Sequence, residues 1–199
     1  MDIYEFHDSD DTGKEEYDIQ GENYKALIDL CCKYSSIVSF LIFDEKTDLV
    51  KQLDKYRISE CEIPQCVHRS YRSTVCDENS SHEVPVYYYR LCPELCELLA
   101  NAVNGVFEWI YAWGFDNPED ITFYREDGSV FFISVVHDGY CALLPNENED
   151  TGCVTNDSLW NWRDTEQEVE KGYIVSKGIK WPINPFLIGK RNTGDGSVS

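Results

Sequence analysis

Apolar and polar positions are patterned most clearly over residues 118–144, where PEDITFYREDGSVFFISVVHDGYCALL holds three β-prone runs parted by Asp127-Gly128 and Asp138-Gly139. The expectation is a three-stranded meander. Asp-Gly supplies the positive φ values that a two-residue type I′ hairpin turn requires, so each step also sets a pairing register. Counting outward from the first turn pairs Arg125 with Val130, Phe123 with Phe132 and Ile121 with Ser134, and brings Pro118 and Glu119 opposite His137 and Val136. The second turn sets His137 across from Tyr140.

Upstream, Tyr24, Leu27, Cys31 and Tyr34 recur at helical spacing with Ile28 and Leu30 beside them, predicting a helix over 23–34 that Ser35-Ser36 ends. The run Ile37 to Phe43 is continuous and β-prone, short enough for a buried strand. A weaker helical spacing covers 48–57. Residues 58–83 show no period and contain Pro64 and the polar string Asp77 to Ser81, which predicts an irregular insertion. Val86 to Leu91 reads as an aromatic strand. Pro93 then opens a helix over 93–104, with Leu95, Leu98, Leu99, Ala102 and Val103 on one stripe and Asn104-Gly105 as its stop. An aromatic connector, Phe107 to Phe115, leads into the meander.

These elements predict an α+β domain over 23–144, an antiparallel sheet with a C-terminal β-meander and helices packed on one face. Residues 1–22 carry nine acidic side chains against Lys14 and are expected to form a mobile arm. Residues 145–199 are expected to form an extension, partly docked through Trp160, Trp162, Trp181 and Phe186, with a disordered end.

Length and composition change this picture little: 199 residues suit one domain, and 42% hydrophobic with 14% aromatic side chains argue against general disorder. Charge changes it more. A net −20, from 37 acidic and 17 basic side chains, argues against direct grip on nucleic acid and favours either solubility alone or a basic protein partner, such as a toxin or a nucleic-acid-binding protein. No run approaches the roughly 18 apolar residues of a membrane span. MDIYEFHDSDDTG shows no secretory signal, so the expected compartment is the cytoplasm. The nine cysteines are then expected as free thiols, Cys31 and Cys141 as small hydrophobes.

Candidate chemistry is confined to one cluster. The meander register gathers Glu119, Asp120, His137 and Asp138 at one end of the sheet. A carboxylate beside an imidazole can orient a general base or complete a metal shell. No nucleophile stands at a diagnostic spacing, and aspartate is favoured in turns for backbone reasons alone. The expected roles of the four are therefore structural or partner-contacting, with no catalytic residue, cofactor or metal assigned; the alternative is a small hydrolase using His137 with Glu119 and Asp138. Cys61, Cys66, His68 and Cys76 share the irregular segment, but their spacing matches no paired zinc-ligand pattern. There is no phosphate-binding glycine loop, no G-x-S-x-G and no H-E-x-x-H.

Pro118-Glu119-Asp120-Ile121, the aromatic strand with its Asp-Gly turn, and Ser134-Val135-Val136-His137-Asp138 together resemble a pattern of small uncharacterised bacterial proteins that read P-E-D-hydrophobic, then S-x-A-H-E. Val136 and Asp138 stand here for the usual Ala and Glu, and the likeness covers roughly residues 86–144. Some such proteins carry an immunity or sporulation label. The resemblance implies a bacterial cytosolic origin and hardly any chemistry; the net charge and the absence of a strong catalytic motif lead to the expectation of an acidic inhibitor or immunity protein that occludes a basic partner such as a nuclease toxin.

Overall fold

The computed structural model describes residues 2–7, 18–63, 72–76, 81–112, 114–156, 160–164, 173–176 and 179–182. In chain order the first elements are β1 (Asp2–His7), α1 (Glu22–Tyr34), β2 (Ile37–Leu41), α2 (Asp48–Leu53), β3 (Arg72–Cys76), β4 (Ser81–Arg90) and α3 (Pro93–Ala102). There follow β5 (Tyr111–Ala112), β6 (Phe115–Asp116), β7 (Glu119–Tyr124), β8 (Val130–Val135) and β9 (Tyr140–Leu143). The last are α4 (Gly152–Thr155), β10 (Asn161–Asp164), β11 (Tyr173–Ser176) and β12 (Ile179–Pro182). Eight strands form one antiparallel sheet in the order β10-β1-β9-β8-β7-β2-β4-β3, while β5-β6 and β11-β12 are separate hairpins. The α+β class and the C-terminal meander are as expected.

The helices hold to one face because their apolar stripes have nowhere else to go. Tyr24, Leu27, Ile28 and Cys31 of α1 and Leu95 and Leu99 of α3 pack with Val38, Phe40, Ile121, Phe123, Cys141 and Leu143 from the sheet. A buried relay ties the layers: the Trp109 indole N–H donates to the Tyr24 hydroxyl at 3.0 Å, which donates to the Leu99 carbonyl at 2.7 Å. The opposite face is buried too, through Ile37, Leu41, Val84, Val86, Tyr124 and Ala142. Its polar atoms pair among themselves, Ser39 with the Tyr124 hydroxyl at 3.1 Å and Glu5 accepting from Tyr140 at 3.2 Å.

Three of these expectations need correction. The N-terminal residues do not all form a mobile arm: Asp2–His7 pairs with both β9 and β10, and Ile3, Glu5 and Phe6 are buried. Charge density outweighed a period-2 pattern, Ile3 and Glu5 to one face and Tyr4 and Phe6 to the other. Residues 8–17 of that arm lie outside the described residues. The stretch 58–83 is not irregular throughout, since β3 and the start of β4 add a ladder at the sheet edge. The extension docks in part as expected, β10 pairing with β1 and Thr151, Val154 and Trp160 buried; its expected disordered end, 192–199, lies outside the described residues. Finally, Cys32 of α1 and Cys96 of α3 are joined in a disulfide across a Cα separation of 6.1 Å, against the expectation of free thiols. Cys31 and Cys141 do stay free and buried, and burial pushes both thiols well above their ordinary range.

The two Asp-Gly turns also differ from type I′. Asp127 and Asp138 keep negative φ, and only Gly128 and Gly139 turn left-handed. The Asp127 carboxylate accepts from the Ser129 N–H at 2.9 Å and its hydroxyl at 2.6 Å, a local contact that holds Asp127 in the ordinary region. The loop becomes three residues long, Arg125 N–H donating to the Ser129 carbonyl, and Tyr124 rather than Arg125 pairs with Val130. A bulge at Phe131 restores the expected Phe123–Phe132 pair, whose rings meet edge-on at 6.3 Å. At the second turn Val135, not His137, opposes Tyr140, and Val136–Asp138 forms a 3₁₀ turn.

Arg125, released from the ladder, becomes the clamp of the hairpin. Its guanidinium meets Glu149 bidentately at 2.6 and 2.5 Å and donates to the carbonyls of Val130 and Leu144, both at 2.7 Å. The side chains of Arg125 and Glu149 are about nine-tenths buried, so removing either strands the other charge. Arg125→Ala is expected to cost about 3–5 kcal/mol of unfolding free energy, and Arg125→Lys to recover only part because an ammonium lacks the planar fork. Urea unfolding checks this; a loss below about 1 kcal/mol, the surface-pair range, would show that the clamp is not closed in solution.

Candidate functional site

The first strand of the meander begins with a distortion that assembles the site. Ser39 pairs with Thr122 and Leu41 with Glu119, so Asp120 and Ile121 together oppose the single residue Phe40. Asp120 sits in this bulge at φ 58°, the one described non-glycine residue with positive φ. Aspartate tolerates that region better than most side chains because its short carboxylate can bond locally. The bend aims the Asp120 carboxylate at the 3₁₀ turn, where Oδ1 accepts the Val136 N–H at 2.8 Å. Its own N–H donates to the Trp109 carbonyl at 3.3 Å, tying the strand to the aromatic connector.

Glu119 completes the junction. Its Oε2 accepts from the Tyr111 N–H at 3.3 Å and lies 3.2 Å from His137 Nε2. The Glu119 side chain is 3% exposed and the His137 ring 48%. Burial first, and then the charge of Asp120, raise the Glu119 pKa; His137 and the Tyr111 N–H pull it partly back. Three of the four anticipated residues, Glu119, Asp120 and His137, therefore meet where β7, the connector and the 3₁₀ turn join. Asp138 stands at the exposed end of that turn.

What this arrangement can do follows from where its oxygens point. Glu119 and Asp120 each hold a backbone N–H from a different segment, a bracing use of carboxylates. The Glu119–His137 contact is the part with chemical capacity, an acid of raised pKa beside a half-exposed imidazole. Neither of the two described surface grooves, one beside Asp44 and Asp116 and one beside Arg57 and Tyr87, is lined by Glu119, Asp120 or His137. Among the described residues no three His, Cys, Asp or Glu side chains gather as a metal site. Cys66 and His68 lie outside the described residues, as does the Cys76 side chain; Cys61 is exposed and free.

A partly buried acid also escaped the sequence reading. Asp18 accepts the Phe107 N–H at 3.2 Å, beside the strand-like junction of Gln20 with Gly105. Burial raises its pKa to about 6, and Glu108 nearby adds to the rise. A Cβ on Gly105 would stand 1.9 Å from an Asp18 carboxylate oxygen, so a side chain there would have to displace that carboxylate. The signal available was weak, a single aspartate at the end of an acidic run.

No protein-family model, curated protein or solved structure matches the chain.

The two raised carboxylates give stability a definite pH dependence. A carboxylate whose folded pKa exceeds its unfolded value binds its proton more tightly in the folded state, so stability falls as pH rises between the two values. For Asp18 that window runs from 3.8 to about 6. Glu119 acts in the same direction, and the net charge of −20 adds self-repulsion at neutral pH. The lowered pKa values of Glu62 and Glu94 oppose this, but both groups are fully exposed. Melting temperature is expected to be higher near pH 5 than at pH 7, and Asp18→Asn to flatten the difference; a melting temperature that rises steadily from pH 5 to 7 would contradict it. At the cluster, His137→Ala and Glu119→Ala are expected to be non-additive by about 0.5–1 kcal/mol. Additive losses would mean that their contact contributes nothing.

Proposed function

We propose that the protein is an acidic binding protein that occludes a basic partner, in the manner of an inhibitor or immunity protein, with a nuclease toxin or other nucleic-acid-binding protein as the target. The observation that carries this is the net charge of −20. Exposed carboxylates are distributed over the described surface, on α1 (Glu22, Asp29), before and within α2 (Glu45, Asp48), on α3 (Glu94, Glu97) and in the meander turns (Glu126, Asp138). A surface of one sign steers an oppositely charged protein into contact and repels nucleic acid from the same face. Glu119 and Asp120, by contrast, are spent on holding the sheet to its connector.

The proposed setting is a bacterial cytoplasm. Among the described residues no helix is long and apolar enough to cross a membrane. The Cys32–Cys96 bond counts against this setting, because disulfides persist in oxidising surroundings and are transient in a reducing cytosol. A hydrolase using His137 and Glu119 is the second reading, favoured by the raised Glu119 acid next to the half-exposed ring.

Affinity capture from the source organism tests the first reading. A basic protein is expected to bind at about 50 mM salt, to release at about 500 mM, and to lose its activity on binding. Recovery of no basic protein at low salt would contradict it. His137→Ala separates the second: general-base loss costs about 10²–10⁴ in rate without unfolding, whereas a bracing residue lowers the melting temperature and leaves no activity to lose.

A further inference from the structure

The β5-β6 hairpin stands apart from the main sheet, and its surroundings suit one kind of ligand. Tyr111 and Phe115 are the large hydrophobic side chains left exposed among the described residues, at 36% and 43%. The Tyr111 ring lies flat against Phe43, with centroids 5.4 Å apart and planes inclined by 3°. Tyr111 pairs with Asp116 across the hairpin, so the two side chains share a face. That residue also lines a groove of about 470 Å³ with Asp44, Asp48, Lys46 and Leu49. The aromatic pair adjoins this groove through Asp116, the cross-strand partner of Tyr111, and through Asp44, next to Phe43 in the chain; the lining holds three carboxylates and Lys46, with Lys51 bound to Asp48.

We propose that the Tyr111–Phe43 plate and the Asp44/Asp48/Asp116 groove receive an arginine side chain of the basic partner. The inference rests on the binding-protein reading and names the surface for it. A guanidinium is planar and weakly hydrated, so it stacks on an aromatic face while its N–H fork meets carboxylates at the rim; an ammonium does the second but not the first. Asp48 already meets Lys51 at 3.1 Å, an exposed pair that an incoming cation can exchange. Asp44 accepts the Lys46 N–H at 2.8 Å through Oδ1 and lines the groove. The fold uses the same chemistry nearby, where the Arg57 guanidinium lies 3.2 Å over the Tyr87 ring and the Tyr87 hydroxyl bonds to Glu45.

The test uses the full chain with poly-arginine and poly-lysine peptides of equal length, titrated at low salt. Poly-arginine is expected to bind about 3- to 10-fold more tightly than poly-lysine. Tyr111→Ala should remove that preference, and Asp116→Asn should weaken binding more than Glu126→Gln, which makes the same charge change on the meander turn. Unchanged melting temperatures confirm that the variants fold, and Asp116→Asn carries the test where Tyr111→Ala does not. Equal losses for Asp116→Asn and Glu126→Gln, with no arginine preference, would overturn the groove as the site while leaving the basic-partner reading in place. Failure of both peptides to bind the unaltered protein would overturn the basic-partner reading itself.

Discussion

Two adjacent buried carboxylates at the start of β7 set how the rest of the molecule joins. Glu119 and Asp120 lie where the central sheet, the aromatic connector and the 3₁₀ turn before β9 converge, and each accepts a backbone N–H from a different one of these segments. Burying two acids side by side is unfavourable unless their oxygens are bonded. Satisfying them forces the bulge, the positive φ of Asp120 and the position of His137, so one electrostatic requirement accounts for three local irregularities. Arg125 does comparable work at the other end of the same hairpin, where its bond to Glu149 holds the C-terminal extension against the meander.

The same balance governs the whole chain. With a net charge of −20 the folded state carries self-repulsion, and among the described residues Arg125 is the one buried cation. The Cys32–Cys96 bond restrains α1 against α3 across a sequence separation of 64, and chain entropy assigns such a loop about 4 kcal/mol. A surface so one-sided is costly to stability; on the proposed reading the return is faster encounter with a partner of opposite charge.

How far the residues alone disclosed this can be followed at particular positions. The helices of Tyr24–Cys31 and Leu95–Leu99 and the Phe123–Phe132 pair were legible because burial enforces a period that composition cannot hide. The meeting of Glu119, Asp120 and His137 followed from the register, although the turns themselves were of another type. Asp-Gly was read as two positive φ values, but the Asp127 side chain bonds Ser129 and stays in the ordinary region, so the loop lengthens and a bulge absorbs the shift. β1 was hidden by charge, its alternation of Ile3, Tyr4, Glu5 and Phe6 lying inside an acidic run. Glu149, Asp18 and the groove beside Tyr111 were not legible, because each depends on long-range neighbours that carry no local pattern.

The central claim is that recognition belongs to the acidic surface and that the buried cluster is a brace. The most direct measurement is the association rate of the captured basic partner with the unaltered protein and with His137→Ala, followed by stopped flow across ionic strength. The account predicts a rate that falls about 10-fold or more between low and physiological salt, with the same slope for both proteins. A rate independent of salt, or one abolished by His137→Ala in a folded protein, would contradict it.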